Sequence, residues 1–175
     1  MHRMRHLRPI STAIAGLFFC ATLLAAQAVQ DPHQEPQILV TGDVSTPLTL
    51  RAADLATMPH EQAEVTEQDG TKTTYEGVPL QEILKKAGIR FGSGMRGKAL
   101  AGYVLAEAKD GYAVVFSLGE LDPDLGGERV LIADRRDGKA LFTYQGPARL
   151  VLPADKEGAR SVRMLEKLEV VELRK

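Results

Sequence analysis

The chain has 175 residues, and its 22 lysines and arginines nearly balance its 23 aspartates and glutamates, for a formal net charge of −1. This balance, without a polybasic run, argues against nucleic acid or an anionic membrane surface as a partner, since clustered cations supply much of the affinity for both. The length fits one domain with a substantial core.

The first 28 residues are typical of a signal peptide. The basic segment 2–8 precedes an apolar run over 13–26, which is too short to cross a hydrocarbon core of ~30 Å as a helix. The sequence Ala-Gln-Ala that ends at Ala28 matches a cleavage site, and the preceding arginines are not adjacent, as a twin-arginine signal requires. We expect export of the unfolded chain by the general route, cleavage near Ala28 and a periplasmic or secreted location. A retained membrane anchor is the alternative.

Cleavage would change the composition of the chain. It removes three basic residues and no acidic one, which leaves 147 residues with a formal net charge of −4. It also removes Cys20, the only cysteine, so the mature chain would form no disulfide despite its oxidising destination. We expect residues 29–36 to be a polar linker, residues 37–175 to be one domain, and no membrane span to remain.

Strands dominate the elements that the domain sequence predicts. Asp69-Gly70 and Asp110-Gly111 favour tight hairpin turns, and the first pair is typical of a type I′ turn. A brief helix is predicted over 52–57. The predicted strands are 37–44, 47–50, 61–68, 71–76, 101–108, 112–117, 129–134, 149–152 and 166–173. The sequence therefore predicts an α+β fold, a β-rich mixed sheet domain with a few short helices.

The clearest predicted helix begins at Pro79, where the missing N–H of proline costs nothing. Leu80, Ile83 and Leu84 follow the spacing of one helix face, and Gly88 is typical of a helix end. Buried apolar residues of this helix and the strands should form the core. The predicted core residues are Leu80, Ile83, Leu84, Val104, Val114, Phe116, Leu131, Leu150, Leu152 and Val170.

Several candidate chemistries lack the residues or the context that they need. Residues 92–97 spell a dinucleotide-binding loop, but they follow a helix and precede a strand, which predicts a flexible loop instead. His33 and His60 are the only histidines left after cleavage, too few for a zinc site or a catalytic triad. The acidic residues of 120–128 lack the spacing of a calcium loop. We therefore predict no catalytic and no metal-ligating residues.

One basic segment is a candidate for anion binding. Its cations surround the loop 153–158, whose glycine lets backbone N–H groups approach an anion. The hairpin face near Tyr75 and the segment 135–137 would complete the walls. The alternative is ordinary surface charge, because Asp155 and Glu157 are interleaved. Guanidinium forks suit phosphates and carboxylates. The predicted anion-binding residues are Arg149, Lys156, Arg160 and Arg163.

Four motifs occur in an order that is known from one family. They are Gly-Val-Pro-Leu at 77–80, Asp-Gly-Lys-Ala-Leu at 137–141, Gly-Pro-Ala-Arg-Leu-Val-Leu-Pro at 146–153 and Gly-Ala-Arg-Ser-Val-Arg-Met-Leu at 158–165. Together with an opening strand that contains Gly42 and Pro47, they make the chain resemble the oxidoreductase molybdopterin-binding domain, the sulfite-oxidase-like family. The resemblance covers residues 37–173.

The resemblance implies a sulfite-oxidase-like molybdopterin-binding fold, compact and rich in β-structure. It also implies a molybdopterin cofactor, whose phosphate and pterin atoms are held by loops and basic side chains. The family keeps part of its cofactor contacts at the positions of Arg149, Lys156, Arg160 and Arg163.

The sequence departs from the family pattern where the metal would bind. The family's enzymes bind molybdenum through a cysteine thiolate in the strand region before the Gly-Val-Pro-Leu turn, and residues 63–74 contain no cysteine. An ungapped count places that position near Thr66, whose protonated hydroxyl cannot replace a soft thiolate. The family's histidine before its second glycine motif is Gln145 here, and the chain has no tryptophan to flank a cofactor. A general signal also does not carry a folded, cofactor-loaded chain.

Three functions are compatible with these observations. The favoured one is an exported molybdopterin-binding-like domain without bound molybdenum, which acts as a periplasmic binding or interaction module for an anionic small molecule or an envelope protein. The alternative is a molybdopterin-dependent oxidoreductase that binds the cofactor without a protein thiolate, so the sequence leaves open whether the chain is an enzyme. The third is a structural partner in an envelope redox or sensor complex.

Overall fold

The computed structural model describes residues 36–173, so the predicted signal peptide and most of the predicted linker lie outside the described residues. Within that range, no helix has both the length and the apolar character needed to cross a membrane. The strands are β1 (Gln37–Gly42), β2 (Leu48–Arg51), β3 (Glu61–Thr66), β4 (Lys72–Pro79), β5 (Tyr103–Ala108), β6 (Ala113–Ser117), β7 (Leu131–Arg136), β8 (Lys139–Ala140), β9 (Arg149–Val151) and β10 (Leu165–Val171). The α-helices are α1 (Ala52–Ala56), α2 (Leu80–Lys86) and α3 (Leu118–Leu121).

The first sheet has the strand order β2-β1-β10-β5-β6. Its β1 lies parallel to β10, with Val40 opposite Leu168, and its other strand pairs are antiparallel. Alternate residues of the central strands are buried, among them Val104 and Ala106 on β5. Because every second residue is buried, one face of the sheet faces the core, as in a sheet that is covered on one side.

The second sheet has the order β3-β4-β7-β8, and β9 also pairs with β7. Tyr75 of β4 lies opposite Ala63 of β3 and Arg136 of β7. Arg149, the first residue of β9, lies opposite Ala133 of β7. The register of this sheet therefore brings one tyrosine and two arginines to neighbouring strands.

The predicted fold class, α+β and rich in mixed sheet, is confirmed. The predicted helix is α2, which Gly88 follows in a left-handed conformation with φ of +101°. The predicted core residues are buried except Val114, which is partly buried at the edge of the first sheet. The short helix α3 was not predicted. It begins with a capping box in which Ser117 Oγ accepts from the Glu120 N–H over 3.0 Å, a Ser-x-x-Glu signature that the sequence carries.

The turn between β3 and β4 is not of the predicted type I′. A type I′ turn requires two residues with positive φ, and in this loop only Gly70 has one, at +82°. The Glu67 N–H donates to the Thr71 carbonyl over 2.8 Å, which leaves a three-residue loop closed by a left-handed glycine. Asp69 Oδ1 accepts from the Thr71 N–H over 2.9 Å and stabilises this turn.

The segment 92–101, which includes the predicted flexible loop, contains regular turns. It forms two short 3₁₀ turns, Gly92–Gly94 and Gly97–Ala101, between α2 and β5. The Gly92 N–H donates to the buried Asp122 carboxylate over 2.6 Å. The segment therefore follows a helix and precedes a strand, as expected, which is not the context of a dinucleotide-binding loop.

His60 links the start of β3 to β7. Its Nδ1 lies 2.9 Å from the Met58 carbonyl oxygen and its Nε2 lies 3.2 Å from Asp134 Oδ2. Both neighbours are acceptors, so only the protonated imidazolium donates to both. Burial opposes the charge, but the bonds to Met58 and Asp134, with the charges of Asp134 and Glu76, outweigh burial and raise the pKa of His60 above its ordinary value.

We predict that His60 stabilises the fold more at acidic than at neutral pH. Because its pKa is raised on folding, its contribution is complete below the unfolded-state pKa and is lost as the pH rises through the folded-state value. The difference in unfolding free energy between the wild type and His60→Gln should therefore shrink between pH 5 and pH 8 in urea titrations. A difference that does not change with pH would contradict this role of His60.

Candidate functional site

Two adjoining cavities of about 700 Å³ and 360 Å³ open beside the β3–β4 turn. They share the end of this hairpin, the start of β9 and the 3₁₀ turn at Gly158–Arg160, and we call them together the groove. The larger cavity extends to the β5–β6 turn and to the loop before β9, whereas the smaller extends under β3. The residues common to both cavities are Glu67, Gln68, Asp69, Arg149, Glu157, Gly158 and Ser161.

Arg149 lies at the junction of the two cavities. Its Nη1 donates to Tyr75 Oη over 2.9 Å, and its Cζ lies 4.8 Å from the centroid of the Tyr75 ring. Its Nε faces the Leu150 carbonyl oxygen at 3.4 Å, and no carboxylate of residues 36–173 forms an ion pair with it. A cation that is largely removed from water without a carboxylate partner is a receptor for an anion.

The surroundings of Arg149 are unfavourable for its charge. Burial lowers the pKa of its guanidinium, and the like charges of Arg163 and Arg136 lower it further, while Tyr75 and Glu67 counter both effects. Three guanidinium groups close enough to repel one another attract an anion that neutralises them.

Tyr75 holds Arg149 in place from beneath. The tyrosine is 1% exposed, and its hydroxyl donates to Glu67 Oε1 over 2.9 Å while it accepts from Arg149. Burial raises the pKa of Tyr75, Arg149 opposes this, and the hydrogen bond and charge of Glu67 raise it further, so the phenol stays protonated at neutral pH. The tyrosine therefore acts as a fixed link between a carboxylate and a guanidinium.

Arg163 and Lys156 are exposed cations at the mouth of the groove. Arg163 lines the larger cavity and Lys156 lines the smaller one. Neither side chain forms a hydrogen bond or ion pair with any other residue in the range 36–173. Both are therefore available to attract an anion from solution.

Arg160, the fourth predicted residue, does not line either cavity. Its Nε donates to Asp155 over 2.9 Å, its Nη1 pairs with Glu120 at 3.1 Å, and Glu128 lies 3.8 Å from Nη2. Its Cζ lies 5.6 Å from the centre of the Phe116 ring. The hydrogen bond to Asp155, with the charges of these carboxylates, raises the pKa of Arg160. The structure thus brings three of the four predicted cations to the groove and holds the fourth in an internal ion-pair cluster.

Gln145 carries a hydrogen-bonding group that has no partner. The residue is 5% exposed, lines the larger cavity, and its Oε1 is buried without a donor among the described residues. An unpaired buried amide costs free energy unless a ligand or water completes it. The sequence had marked Gln145 only as the replacement of a histidine, and its orphaned amide is visible only in the tertiary structure.

Aromatic rings flank the same cavity. Tyr112 and Tyr144 line it and are each about half exposed. Phe142 stacks on Tyr144 with ring centroids 5.7 Å apart, and Arg136 lies over Phe142 at 5.3 Å. Exposed rings beside a hydrogen-bonding amide suit a planar organic ligand. These tyrosines were missed, although both lie close in sequence to predicted turns or motifs.

The predicted walls near Tyr75 and residues 135–137 are partly as expected. Tyr75 lines the smaller cavity and Arg136 lines the larger one, where it also donates to the buried Thr73 hydroxyl over 3.0 Å. Thr66, at the end of β3, lines the smaller cavity. Within residues 36–173, no three histidine, cysteine or acidic side chains are grouped so that they could hold a metal ion. The donors of the groove thus suit an organic anion better than a soft metal.

Comparison with known proteins identifies the family and the fold. The sequence model of the oxidoreductase molybdopterin-binding domain matches residues 26–175. No curated protein matches the sequence significantly. Among solved structures, the sulfane dehydrogenase SoxCD from Paracoccus pantotrophus is similar, with a TM-score of 0.62 and 22% sequence identity over 79% of this chain. The match covers 38% of the SoxCD chain, and at this identity it shows the fold alone. The chain belongs to the oxidoreductase molybdopterin-binding domain family.

Proposed function

We propose that the chain is an exported binding module of this family, which holds an organic anion in the groove and forms no bond from the protein to molybdenum. The observation that carries the proposal is the set of three cations, Arg149, Arg163 and Lys156, that lack a carboxylate partner around one groove. The buried, unpaired amide of Gln145 on the same wall is the second support.

The groove fits one part of a molybdopterin and not the other. Arg149, Arg163 and Lys156 would hold phosphate oxygens, and Gln145 would pair with a hydrogen-bonding ring edge. Near the expected metal position, however, the chain offers the hydroxyl of Thr66 and the carboxylate of Glu67, which already accepts from Tyr75. Neither is a soft thiolate, so the donor set does not fit a molybdenum–cysteine bond.

Binding in this site would proceed from long-range attraction to short contacts. Arg163 and Lys156, both exposed and unpaired, attract an anion from solution. Arg149 then binds the anion at a position that is less exposed to water than Arg163 and Lys156. Tyr75 holds the Arg149 guanidinium in place by a hydrogen bond and a cation–π contact. A guanidinium held in advance loses little side-chain entropy on binding, which favours affinity.

A second candidate function has support of its own. Tyr112 and Tyr144 line the same cavity as the Gln145 amide, and such rings suit a planar ligand such as a pterin. On this alternative, the chain is an oxidoreductase whose molybdopterin is held by the groove alone, and the cofactor would supply the redox chemistry when bound.

Export follows from the sequence features before residue 29. The basic segment, the apolar run and the Ala-Gln-Ala site support secretion by the general route into the periplasm or beyond. A chain that crosses the membrane unfolded arrives without a cofactor. This agrees with a binding module that folds after export with no cofactor bound.

We predict that Arg149→Ala and Arg163→Ala each weaken the binding of inorganic pyrophosphate, the probe anion, by roughly tenfold, since each removes a charge-assisted contact worth about 1.4 kcal/mol. Calorimetric titration measures the change. Lys98→Ala removes an exposed cation outside the groove and is the matched control.

Arg160→Ala should lower the melting temperature and leave the affinity for pyrophosphate nearly unchanged, because the Arg160 guanidinium is held by Asp155 and Glu120 and not by a ligand. Absence of binding by the wild type, or equal affinity of all four variants, would refute the anion site.

We predict that protein isolated from its native compartment contains well below one molybdenum atom per chain. Elemental analysis checks the metal, and fluorescence after acid oxidation checks the pterin. Near-stoichiometric molybdenum would overturn the favoured function. A stoichiometric pterin without molybdenum would identify the ligand and keep the binding module.

We predict that the mature chain begins at Val29. Intact-mass measurement of the native protein should show the loss of 28 residues, and cell fractionation should place it outside the cytoplasm. A chain that keeps its N-terminus in the cytoplasm would contradict export.

A further inference from the structure

Glu67 stands at the centre of the groove, after the last residue of β3, and lines both cavities. Its Oε1 accepts from the Tyr75 hydroxyl over 2.9 Å and lies 3.9 Å from Arg136 Nη2. The side chain is 31% exposed, so part of it already faces solvent.

The other acidic residues around the groove make their hydrogen bonds or ion pairs with other groups, although the charge of Arg136 also acts on Asp69. Asp69 Oδ1 and Asp110 Oδ1 accept from backbone N–H groups of their own turns, at 2.9 Å and 3.0 Å. Glu157 faces the Gln68 amide at 3.5 Å, and Asp155 pairs with Arg160. Asp137 approaches Arg136 at 3.6 Å, but it does not line either cavity.

Glu67 is therefore the carboxylate of the groove that is linked both to Arg136 and, through Tyr75, to Arg149. Its Oε1 lies 3.9 Å from Arg136 Nη2, and through the Tyr75 hydroxyl it joins the hydrogen-bond chain that ends on Arg149 Nη1. A carboxylate in this place offsets part of the repulsion among the guanidinium groups. It also repels any second anion that enters the groove.

We propose that Glu67 is an internal competitor that sets the anion affinity of the groove. With no ligand bound, it serves as the counter-ion of Arg136 and of the Tyr75–Arg149 pair. An entering anion takes over that role and turns Glu67 toward solvent, so the groove selects anions that offer more charge or more oxygens than one carboxylate. This inference rests on the proposed anion site and adds its specificity-determining residue.

The test compares Glu67→Gln with Glu64→Gln, using calorimetric titration with inorganic pyrophosphate and with acetate. Glu64 is a matched control because it lies on β3 and pairs with Lys72 at 2.6 Å outside the groove. Glu67→Gln keeps an acceptor for Tyr75 and removes the charge, so pyrophosphate should bind roughly tenfold tighter, as expected for loss of a like charge at contact range. Acetate, a single carboxylate, should gain measurable binding. Glu64→Gln should change neither affinity.

A spectroscopic readout separates competition from a structural role. Removing the Glu67 charge should lower the pKa of one tyrosine in an ultraviolet titration, because Glu67 raises the pKa of Tyr75. In the wild type, saturating pyrophosphate should raise the same pKa, because the anion neutralises Arg149 and brings more negative charge than the carboxylate it displaces. In Tyr75→Phe that transition should be missing. If Glu67→Gln does not fold, Glu67→Ala replaces it with the same expected direction.

The outcomes distinguish this inference from the proposed function. Unchanged or weaker binding by a folded Glu67 variant overturns the competitor role, and the anion site still stands if Arg149→Ala lowers affinity. No pyrophosphate binding by the wild type with clear binding by Glu67→Gln supports the competitor role and refutes anion binding as the function of the natural protein. No binding by either protein overturns both.

Discussion

The close approach of β4 to β7 at Gly77 is the constraint on which the groove depends. A Cβ at Gly77 would lie 2.2 Å from the Ile132 carbonyl oxygen and 2.4 Å from Ala133 Cα, so no other residue fits without moving the strand. The register shifts between Glu76 and Gly77, and this irregularity sets Tyr75 opposite Arg136. The glycine of the Gly-Val-Pro-Leu motif therefore fixes where the ring and the guanidinium meet.

The groove differs from the rest of the protein in how its charges are neutralised. Arg160, in the 3₁₀ turn after β9, is held by carboxylates at short range. Arg149 is held by a phenol and a backbone carbonyl. A neutral hydroxyl positions a guanidinium without cancelling its charge. One arginine, Arg160, thus stabilises the fold through ion pairs, whereas the charge of Arg149 is not cancelled by a carboxylate.

The sequence predicts local structure well where one residue type decides the backbone. The apolar spacing after Pro79 predicted α2, and the alternation of the strands predicted most of the buried core. The sequence could not show which cations have carboxylate partners, because those partners are set by the tertiary structure. Asp155 pairs with Arg160, five residues later, and leaves Arg163 unpaired. The Gln145 amide is equally a tertiary result, since nothing in its neighbours foretells a missing donor.

No cysteine lies at the end of β3, but the carboxylate of Glu67 next to it offsets part of the positive charge of the groove. Glu67 accepts from Tyr75 and approaches Arg136, so one cation of the groove has a nearby carboxylate. Its ion pair with Arg136, at 3.9 Å and partly exposed, contributes at most about 1 kcal/mol, so the hydrogen bond from Tyr75 is the stronger of its two contacts. On our proposal, a competitor with one hydrogen bond and one weak ion pair stabilises the ligand-free state and yields to an anion that contacts two guanidinium groups at once.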